Sequence, residues 1–255
     1  MEGESGGCLL PLGCYSRDLA PHRPPGLVGL FLPGEGSMAD VLSAAVVIDY
    51  QNVHLTAANL FAPGQAYHEA LLHPLHYANQ LITARNARMS AEYPRAVLGH
   101  VFVYRGLPSS AHDPDAYARN LAQKAEWERD SRVLVTHRPL KYRYEYDGQG
   151  KKVSDAAGNL VILGKQEKGV DVLCALALVR EARLRDLVIL ASQDSDLEPA
   201  LDDALRIDRA KVETSSWFDP KTRSSREIRP HTGRKIWNTR LQKSNFTAAL
   251  DLNTY

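Results

Sequence analysis

The sequence predicts an α/β fold with a central, mainly parallel sheet, because apolar runs typical of buried strands alternate with stretches typical of helices. The runs are rich in Val, Ile and Leu, and they recur along most of the chain. Two of them end abruptly on aspartate, as in Val46-Val47-Ile48-Asp49. Parallel strands bring their carboxyl ends to one edge, so such ends are expected to share a crevice.

The predicted elements follow one another with few interruptions. Asp113-Pro114 marks a helix start, since Asp caps free amides and Pro suits the first helical position. The strands are predicted near 44–49, 95–104, 133–137, 187–191 and 211–217, and the helices near 67–91, 114–130, 170–183 and 198–207.

The chain of 255 residues is predicted to hold one domain with extensions at both ends. Residues 1–37 are rich in Gly and Pro and are predicted to be a disordered extension, with Met38 as a hypothetical natural start. The domain spans 38–218, and 219–255 form a C-terminal extension that packs on it. Between about 139 and 165, alternating tyrosines and two turn sequences predict a β-hairpin or flap.

Composition limits the class of protein. The formal net charge is +1, so a nucleic-acid partner must be held by local basic patches. The three cysteines lack CxxC spacing, which argues against a disulfide framework or a zinc site and favours a cytoplasmic protein. No apolar run approaches the roughly 20 residues of a membrane-spanning helix, so a membrane partner is not expected.

Acidic residues recur where predicted elements end or begin. Asp49 and Asp194 follow apolar strands, and Asp171 lies in the first turn of a helix. Two of them have an ordinary alternative: Asp49 in an Asx turn, and Asp171 near a favourable helix dipole. Asp196 is divided between capping the helix that begins near Leu197 and holding a metal-bound water, whereas Asp194 has no such structural role and is expected to serve the site directly.

If these carboxylates converge, their repulsion favours a divalent cation. Oxygen ligands suit Mg²⁺ or Mn²⁺ better than Zn²⁺, which prefers His or Cys. Such ions activate water for attack on a phosphodiester. The metal ligands predicted from the sequence are Asp49, Asp171, Asp194 and Asp196.

Three motifs resemble those of NYN domains, a branch of the PIN-like ribonucleases. They are Ile48-Asp49-Tyr50-Gln51-Asn52, Lys168-Gly169-Val170-Asp171-Val172, and the loop from Ser192 to Pro199 with Asp194 and Asp196. The resemblance spans roughly Ala44 to Trp217. It implies a PIN-like three-layer sandwich and a metal-dependent endoribonuclease in which Asp49, Asp171 and Asp194 are catalytic and Asp196 assists.

The sequence departs from this family at two positions. Many members have an aspartate where this chain has Ala177, and often glycine where it has Gln193. Ala177 leaves two alternatives: a weakened second metal position, or a helix that is simply buried. The first alternative corresponds to a catalytically weakened RNA-binding or regulatory protein.

Further residues are assigned to the substrate, which we expect to be single-stranded RNA. Asn52 and Ser192 are expected to orient the metal or the scissile phosphate, and Lys168 to contact a phosphate. Basic side chains among aromatic ones suit backbone contacts and base stacking. These candidates are Lys141 and Arg143 in the flap, Arg85 and Arg88, and the run Lys221, Arg223, Arg226 and Arg229.

Other readings stay open from the residues alone. Asp194-Ser195-Asp196 has the spacing of a sugar-nucleotide metal motif, although no nucleotide-binding loop accompanies it. A haloacid-type phosphatase would need a second Asp where the chain has Gln51. The sequence does not decide between end and internal cleavage, nor whether the chain forms a homo-oligomer.

Overall fold

The computed structural model describes residues 41–222 and 226–255. The predictions for residues 1–37, Met38 and Arg223 therefore lie outside the described residues. The strands are β1 (Leu42–Asp49), β2 (Ala96–Leu107), β3 (Val133–Pro139), β4 (Lys141–Tyr144), β5 (Ile162–Gln166), β6 (Leu187–Ala191), β7 (Lys211–Trp217) and β8 (Asn238–Leu241). The helices are α1 (Tyr50–Phe61), α2 (Pro74–Arg88), α3 (Pro114–Trp127), α4 (Val170–Ala182), α5 (Glu198–Arg206) and α6 (Lys243–Ala248), with short 3₁₀ turns at Tyr67–Glu69 and Ser195–Leu197.

Six strands form one parallel sheet in the order β3-β2-β1-β6-β7-β8. Strand β1 alternates its side chains between two apolar clusters: Val46 and Ile48 pack on one face, and Ala45 and Val47 pack on the other. Helices cover both faces, because a parallel sheet buries both of its surfaces. The fold is a three-layer α/β sandwich with a central parallel sheet, which confirms the predicted fold class.

The predicted helix over 67–91 is shorter than expected. The structure has a 3₁₀ turn at Tyr67–Glu69, and α2 begins only at Pro74. His73 precedes this proline and is extended, with ψ of 118°. Proline disfavours the helical conformation of the residue before it, so the two segments cannot form one continuous helix.

Helix α1 was not predicted, although its sequence contains the signal. Its buried positions include Tyr50, Val53, Ala57 and Phe61, with the three- and four-residue spacing of one helix face. Asp49 ends β1 and is also the N-cap of α1. The chain therefore passes from strand to helix without a connecting loop.

The predicted flap is the antiparallel pair β4–β5, separate from the main sheet. Isolated bridges extend it, between Tyr146 and Lys152 and between Ser154 and Leu160. The C-terminal segment supplies β8, the edge strand next to β7, and helix α6, which contacts α2. The prediction of a packed C-terminal extension did not include this added strand.

Candidate functional site

The candidate site lies where the strand order reverses in the middle of the sheet. From β1 the chain builds outward through β2 and β3, and later through β6, β7 and β8 on the other side. Strands β1 and β6 are neighbours, with Ile48 opposite Ala191. The carboxyl ends of such strands border a crevice, because their following helices leave toward opposite faces.

A cavity of about 580 Å³ occupies this crevice. Asp49 enters it from the end of β1 and Asp194 from the loop after β6, while Asp171 comes from the first turn of α4. The predicted site residues that line this one cavity are Asp49, Asn52, Lys168, Asp171, Asp194 and Asp196. Ser192 is not among these lining residues, but its side chain contacts Asp49 directly.

Asp49 is the most buried of these acids, with 6% of its surface exposed. Its carboxylate accepts hydrogen bonds from the Asn52 backbone N–H at 3.3 Å and from Ser192 Oγ at 3.1 Å. Burial raises the pKa of Asp49 to about 6, and the charges of Asp194 and Asp171 contribute to the rise. The two hydrogen bonds oppose it without offsetting it. Asp49 is therefore a carboxylate whose charge is only partly compensated by its neighbours.

Hydrogen bonds hold the ends of β1 and β6 together. Asn52 Oδ1 accepts from the backbone N–H of Gln193 at 2.7 Å. Ser192 Oγ, besides donating to Asp49, accepts from the backbone N–H of Asp194 at 3.1 Å. Asn52 and Ser192 therefore help to fix the positions of the acids. Asn52 binds the backbone directly before Asp194, and Ser192 contacts both Asp49 and Asp194.

The capping role expected of Asp196 belongs to Asp194. Asp194, not Asp196, is the capping residue: its carboxylate accepts from the Asp196 backbone N–H at 3.0 Å, at the start of the 3₁₀ turn. The N-cap position of α5 is Leu197, which has no side-chain cap. The prediction that Asp196 caps this helix is therefore wrong, because the 3₁₀ turn begins before it. Asp196 is exposed.

Asp171 is half-buried in the first turn of α4, the position that the sequence predicts. Gly169 precedes the helix with φ of +80°, a conformation that favours glycine. No hydrogen bond or ion pair of the Asp171 carboxylate occurs within residues 41–222 and 226–255. The helix N-terminus favours its negative charge, but no cationic side chain of the described residues pairs with it.

Glu167 is a site residue that the sequence analysis missed. It lines the same cavity and accepts a short hydrogen bond from the Gly106 backbone N–H. When its side-chain amide nitrogen faces Glu167, Gln51 donates a hydrogen bond to the Glu167 carboxylate at 2.8 Å. Burial raises the pKa of Glu167 to about 7, and the charge of Asp49 adds to this. Its position directly before Lys168-Gly169 is the signal that could have identified it.

Gly106 makes room for this glutamate. A Cβ atom at this position would lie 2.6 Å from Glu167 Oε1, closer than real Cβ contacts allow. The close approach lets the backbone N–H of β2 bind the carboxylate directly. Strand β2 is thereby tied to the segment between β5 and α4.

The donor set fits a hard divalent cation in its chemistry, since it consists of carboxylate and amide oxygens with no sulfur or imidazole. The described part of the chain contains no group of three or more His, Cys, Asp or Glu side chains close enough together to hold a metal ion. None of the five carboxylates in the cavity forms an ion pair with a described lysine or arginine. Shared binding of an ion would require these side chains to move closer together.

A second cavity, of about 600 Å³, lies along the flap and borders the acidic one. Gln166 and Lys168 line both cavities. The other lining residues are Lys141, Tyr142, Arg143, Tyr144, Tyr146, Gly164 and Lys165. Basic and aromatic side chains thus adjoin the acidic crevice, and none of the described residues that line this second cavity is acidic.

Polar contacts attach the flap to the main domain. Tyr142 OH accepts from the Ser109 backbone N–H at 2.8 Å, and Tyr144 OH is 2.9 Å from His112 Nε2. Lys165 forms an ion pair with Asp113 at 3.1 Å. These contacts fix the flap beside the start of α3.

The other basic candidates lie away from the crevice or have structural partners. Arg85 is buried and forms an ion pair with Glu213 at 2.8 Å, so it is not available for a phosphate. Arg88 and Lys211 line a separate cavity. Lys211 begins β7, so this cavity lies at the amino ends of the strands, opposite the crevice. Arg226 donates to Ser195 Oγ at 3.1 Å, next to Asp194. Lys221 and Arg229 are exposed.

Ala177 is buried, with 1% of its surface exposed, in the cluster between α4 and the sheet. Helix α4 as a whole is not buried, since Val172 and Leu176 are 55% and 63% exposed. An aspartate in place of Ala177 would therefore introduce a charge into an apolar layer.

The comparisons with known proteins give little beyond this geometry. No family model matches the chain, and no curated protein matches it either. Among solved structures, a protein of unknown function from Vibrio parahaemolyticus matches with 18% identity and a TM-score of 0.36, covering 71% of this chain and 84% of that one. The helices within the described residues include none with the length and apolar character needed to cross a membrane.

Proposed function

We propose that this chain is a metal-dependent ribonuclease of the NYN and PIN-like type, which cleaves RNA phosphodiester bonds in the acidic crevice. The observation that carries the proposal is the group of five carboxylates without basic ion-pair partners around one cavity at the reversal of strand order. Like charges around one cavity repel one another, and a bound cation offsets this repulsion. The three sequence motifs support the same assignment.

The cofactor in this proposal is Mg²⁺ or Mn²⁺, with Asp49, Asp171, Asp194 and Asp196 as ligands. When bound, such an ion polarises the phosphate and lowers the pKa of water. The protein's own contribution is positioning. Ser192 and Asn52 fix Asp49 and the loop after β6, while Glu167, with its pKa near 7, is suited to accept or donate a proton.

The substrate class in this proposal is single-stranded RNA. Lys141 and Arg143 supply positive charge, and Tyr142, Tyr144 and Tyr146 supply rings, in the cavity that adjoins the crevice through Lys168. Cations that follow a phosphate backbone, together with rings on which bases stack, are typical of single-strand binding. We further propose a cytoplasmic location, which the absence of paired cysteine spacing supports.

The test is cleavage of a fluorescently labelled single-stranded RNA by the purified protein in Mn²⁺. We expect turnover by the wild type and a loss of at least about 100-fold in Asp194→Asn, since a ligand of the metal loses its charge. Asp203→Asn, an exposed aspartate on α5, is the matched control and should retain full activity. Cleavage by Asp194→Asn at the wild-type rate would contradict the mechanism.

A second candidate is an RNA-binding or regulatory protein that keeps this fold but does not cleave. The observation that favours it is the absence, in the described residues, of three acids already close enough for one ion, together with alanine at position 177. RNA binding in EDTA without turnover in either Mg²⁺ or Mn²⁺ would support this candidate over the first.

A further inference from the structure

A smaller cavity of about 230 Å³ lies on the other side of the Glu167 wall, between α1, α3 and the end of β2. It shares Gln51, Leu55 and Glu167 with the acidic crevice. The polar residues that line it are His54, His68, Arg105, Arg119, Asn120 and Gln123, together with Tyr50 and Tyr67. The role proposed above for the crevice does not use this cavity.

Arg105 is the central residue of this cavity. Its guanidinium lies over the rings of Tyr50 and Trp127, with 4.7 and 5.3 Å to the ring centroids. It makes one hydrogen bond, from Nη1 to Gln123 Oε1 at 2.8 Å, and it has no carboxylate within ion-pair distance among the described residues. A guanidinium has five N–H donors. Most of its donors therefore lack an acceptor within the part of the chain that the structure describes.

Two further lining residues have unsatisfied polar atoms. His54 Nδ1 and Asn120 Oδ1 are buried and have no hydrogen-bond partner in ranges 41–222 and 226–255. Their residues are 5% and 8% exposed. Buried polar atoms in native proteins are normally paired with protein, water or ligand. The cavity is therefore polar on several sides and suited to a small, strongly hydrogen-bonding group.

The charge of the lining favours an anion. Arg105 and Arg119 are its two arginines, and Glu167 on the shared wall is the single carboxylate among the described residues that line it. Because the pKa of Glu167 is raised to about 7, this carboxyl is partly neutral at physiological pH and repels an anion less. Planar guanidinium groups bind phosphate oxygens in pairs.

We propose that this cavity binds the terminal phosphate of the substrate RNA, with Arg105 and Arg119 as its anion-binding side chains. Its volume is below the roughly 300–1,000 Å³ of typical ligand pockets, so it admits a phosphate group but not a stacked nucleotide. A terminal phosphomonoester carries a charge of about −1.5 to −2, more than an internal diester. The inference rests on the proposed function, because the shared wall puts the bound end next to the acidic crevice.

The first experiment measures binding of inorganic phosphate by calorimetry in EDTA, which removes any metal. We expect binding by the wild type and at least about tenfold weaker binding in Arg119→Ala and Arg105→Met, since charged hydrogen bonds are lost. Arg119 is half-buried and its truncation leaves the core intact, so this variant keeps the test valid if Arg105→Met fails to fold. Arg209→Ala, an exposed arginine at the other edge of the sheet, is the matched control. Absent binding, or equal binding by all four proteins, would overturn the proposal.

The second experiment uses one eight-nucleotide RNA with a 5′ phosphate, a 3′ phosphate or neither, again in EDTA, with fluorescence anisotropy as the readout. One phosphorylated form should bind about tenfold more tightly than the unphosphorylated RNA, and Arg119→Ala should abolish the difference. Equal affinity for all three RNAs would reject a terminal-phosphate site. Both experiments measure binding alone. A wild type that prefers the phosphorylated end but never cleaves would therefore refute the nuclease proposal and leave this one standing.

Discussion

At the scale of single residues, the acidic crevice holds one carboxylate in a position that disfavours its ionised form. Asp49 is held in a buried position by the backbone of α1 and by Ser192, yet burial favours its neutral form. In the absence of a cation, the ionised side chain therefore destabilises the fold. Such a cost is typical of functional sites, where local requirements of stability are not met.

The sign of this effect leads to a prediction for Asp49→Asn. The pKa of Asp49 is 3.8 in the unfolded chain and about 6 in the folded one, so between these values the folded state holds a proton that the unfolded state releases. The free energy of unfolding of the wild type should fall as pH rises from about 4 to 6 and lose no more from this group above that. The shift corresponds to roughly 2–3 kcal/mol, and Asp49→Asn should recover about 1 kcal/mol or more at pH 7.

The measurement is urea unfolding of both proteins in EDTA at several pH values. The difference between variant and wild type removes the titrations that both proteins share, and it retains the contribution of the Asp49 charge to the raised pKa of Glu167, which has the same sign. Asp203→Asn changes an exposed aspartate and should show no such trend. An Asp49→Asn protein that is less stable than the wild type at pH 7 would show that the carboxylate is not under strain.

At this scale, the sequence predicted the features that depend on the order of the strands. It did not predict the features that depend on the exact ends of the helices and turns. Asp49 and Asp194 line one cavity, as expected because they follow neighbouring parallel strands, and Asp171 lines it from the first turn of α4. The capping role expected of Asp196 belongs to Asp194, because a 3₁₀ turn of three residues begins before α5. Arg85 has its partner Glu213 far along the chain, so no local pattern distinguishes it from a surface cation.

At the scale of elements, the flap carries basic side chains that lie beside the acidic crevice. In strand β4, half-buried Tyr142 and Tyr144 alternate with exposed Lys141 and Arg143, and the two tyrosines attach the hairpin to the domain. The alternating tyrosines together with the two turn sequences predicted the hairpin. Its position beside the crevice was not predictable, because it depends on contacts of Tyr142 and Tyr144 with the segment before α3.

We expect Lys141→Ala/Arg143→Ala to weaken binding of single-stranded RNA without changing stability, since both side chains are exposed and form no ion pair among the described residues. Each lost phosphate contact should reduce the slope of log K against log salt by about 0.7, so the double variant should lose about 1.4. Fluorescence anisotropy in EDTA at four KCl concentrations measures the slope. Arg209→Ala/Lys211→Ala, at the opposite edge of the sheet, removes the same charge. Equal slopes for the two double variants would exclude the flap from the RNA path.

At the scale of the whole molecule, the C-terminal segment completes the fold. Asp251 accepts a hydrogen bond from Trp127 Nε1 at 2.7 Å and one from Tyr255 OH at 2.7 Å. Its backbone N–H donates to Leu71 O at 2.8 Å, which joins the end of the chain to the loop before α2. Trp127 and Leu71 each lie more than a hundred positions from Asp251 in the chain. No local pattern in the sequence indicates these long-range contacts.

The distribution of charge over the whole molecule also explains why composition was uninformative. The net charge of +1 is a sum in which opposite local charges cancel. They include an acidic crevice, a basic flap and a basic cavity at the amino ends of the strands. The stability of the fold should therefore respond to ions that act at one of these surfaces. Divalent cations and monovalent salt at equal ionic strength should differ, because only the former suit the carboxylate crevice.

We expect Mn²⁺ to stabilise the wild-type fold by mass action. At a free concentration of 100 times the Kd, a ligand that binds the folded state alone adds about 2.7 kcal/mol. For a domain of this size that is a rise in Tm of roughly 5–10 °C. Thermal unfolding followed by circular dichroism, with KCl at matched ionic strength as reference, measures the shift.

Asp49→Asn and Asp203→Asn separate the crevice from general charge effects in this experiment. Asp203→Asn should keep the full Mn²⁺ shift, and Asp49→Asn should lose most of it. Without metal, Asp49→Asn should be the more stable protein, because the strained carboxylate is gone; in saturating Mn²⁺ the wild type should equal or exceed it, because the same carboxylate then has its counter-ion. Equal Mn²⁺ shifts in wild type and Asp49→Asn would mean that the ion acts elsewhere and that repulsion within the crevice is not relieved by metal.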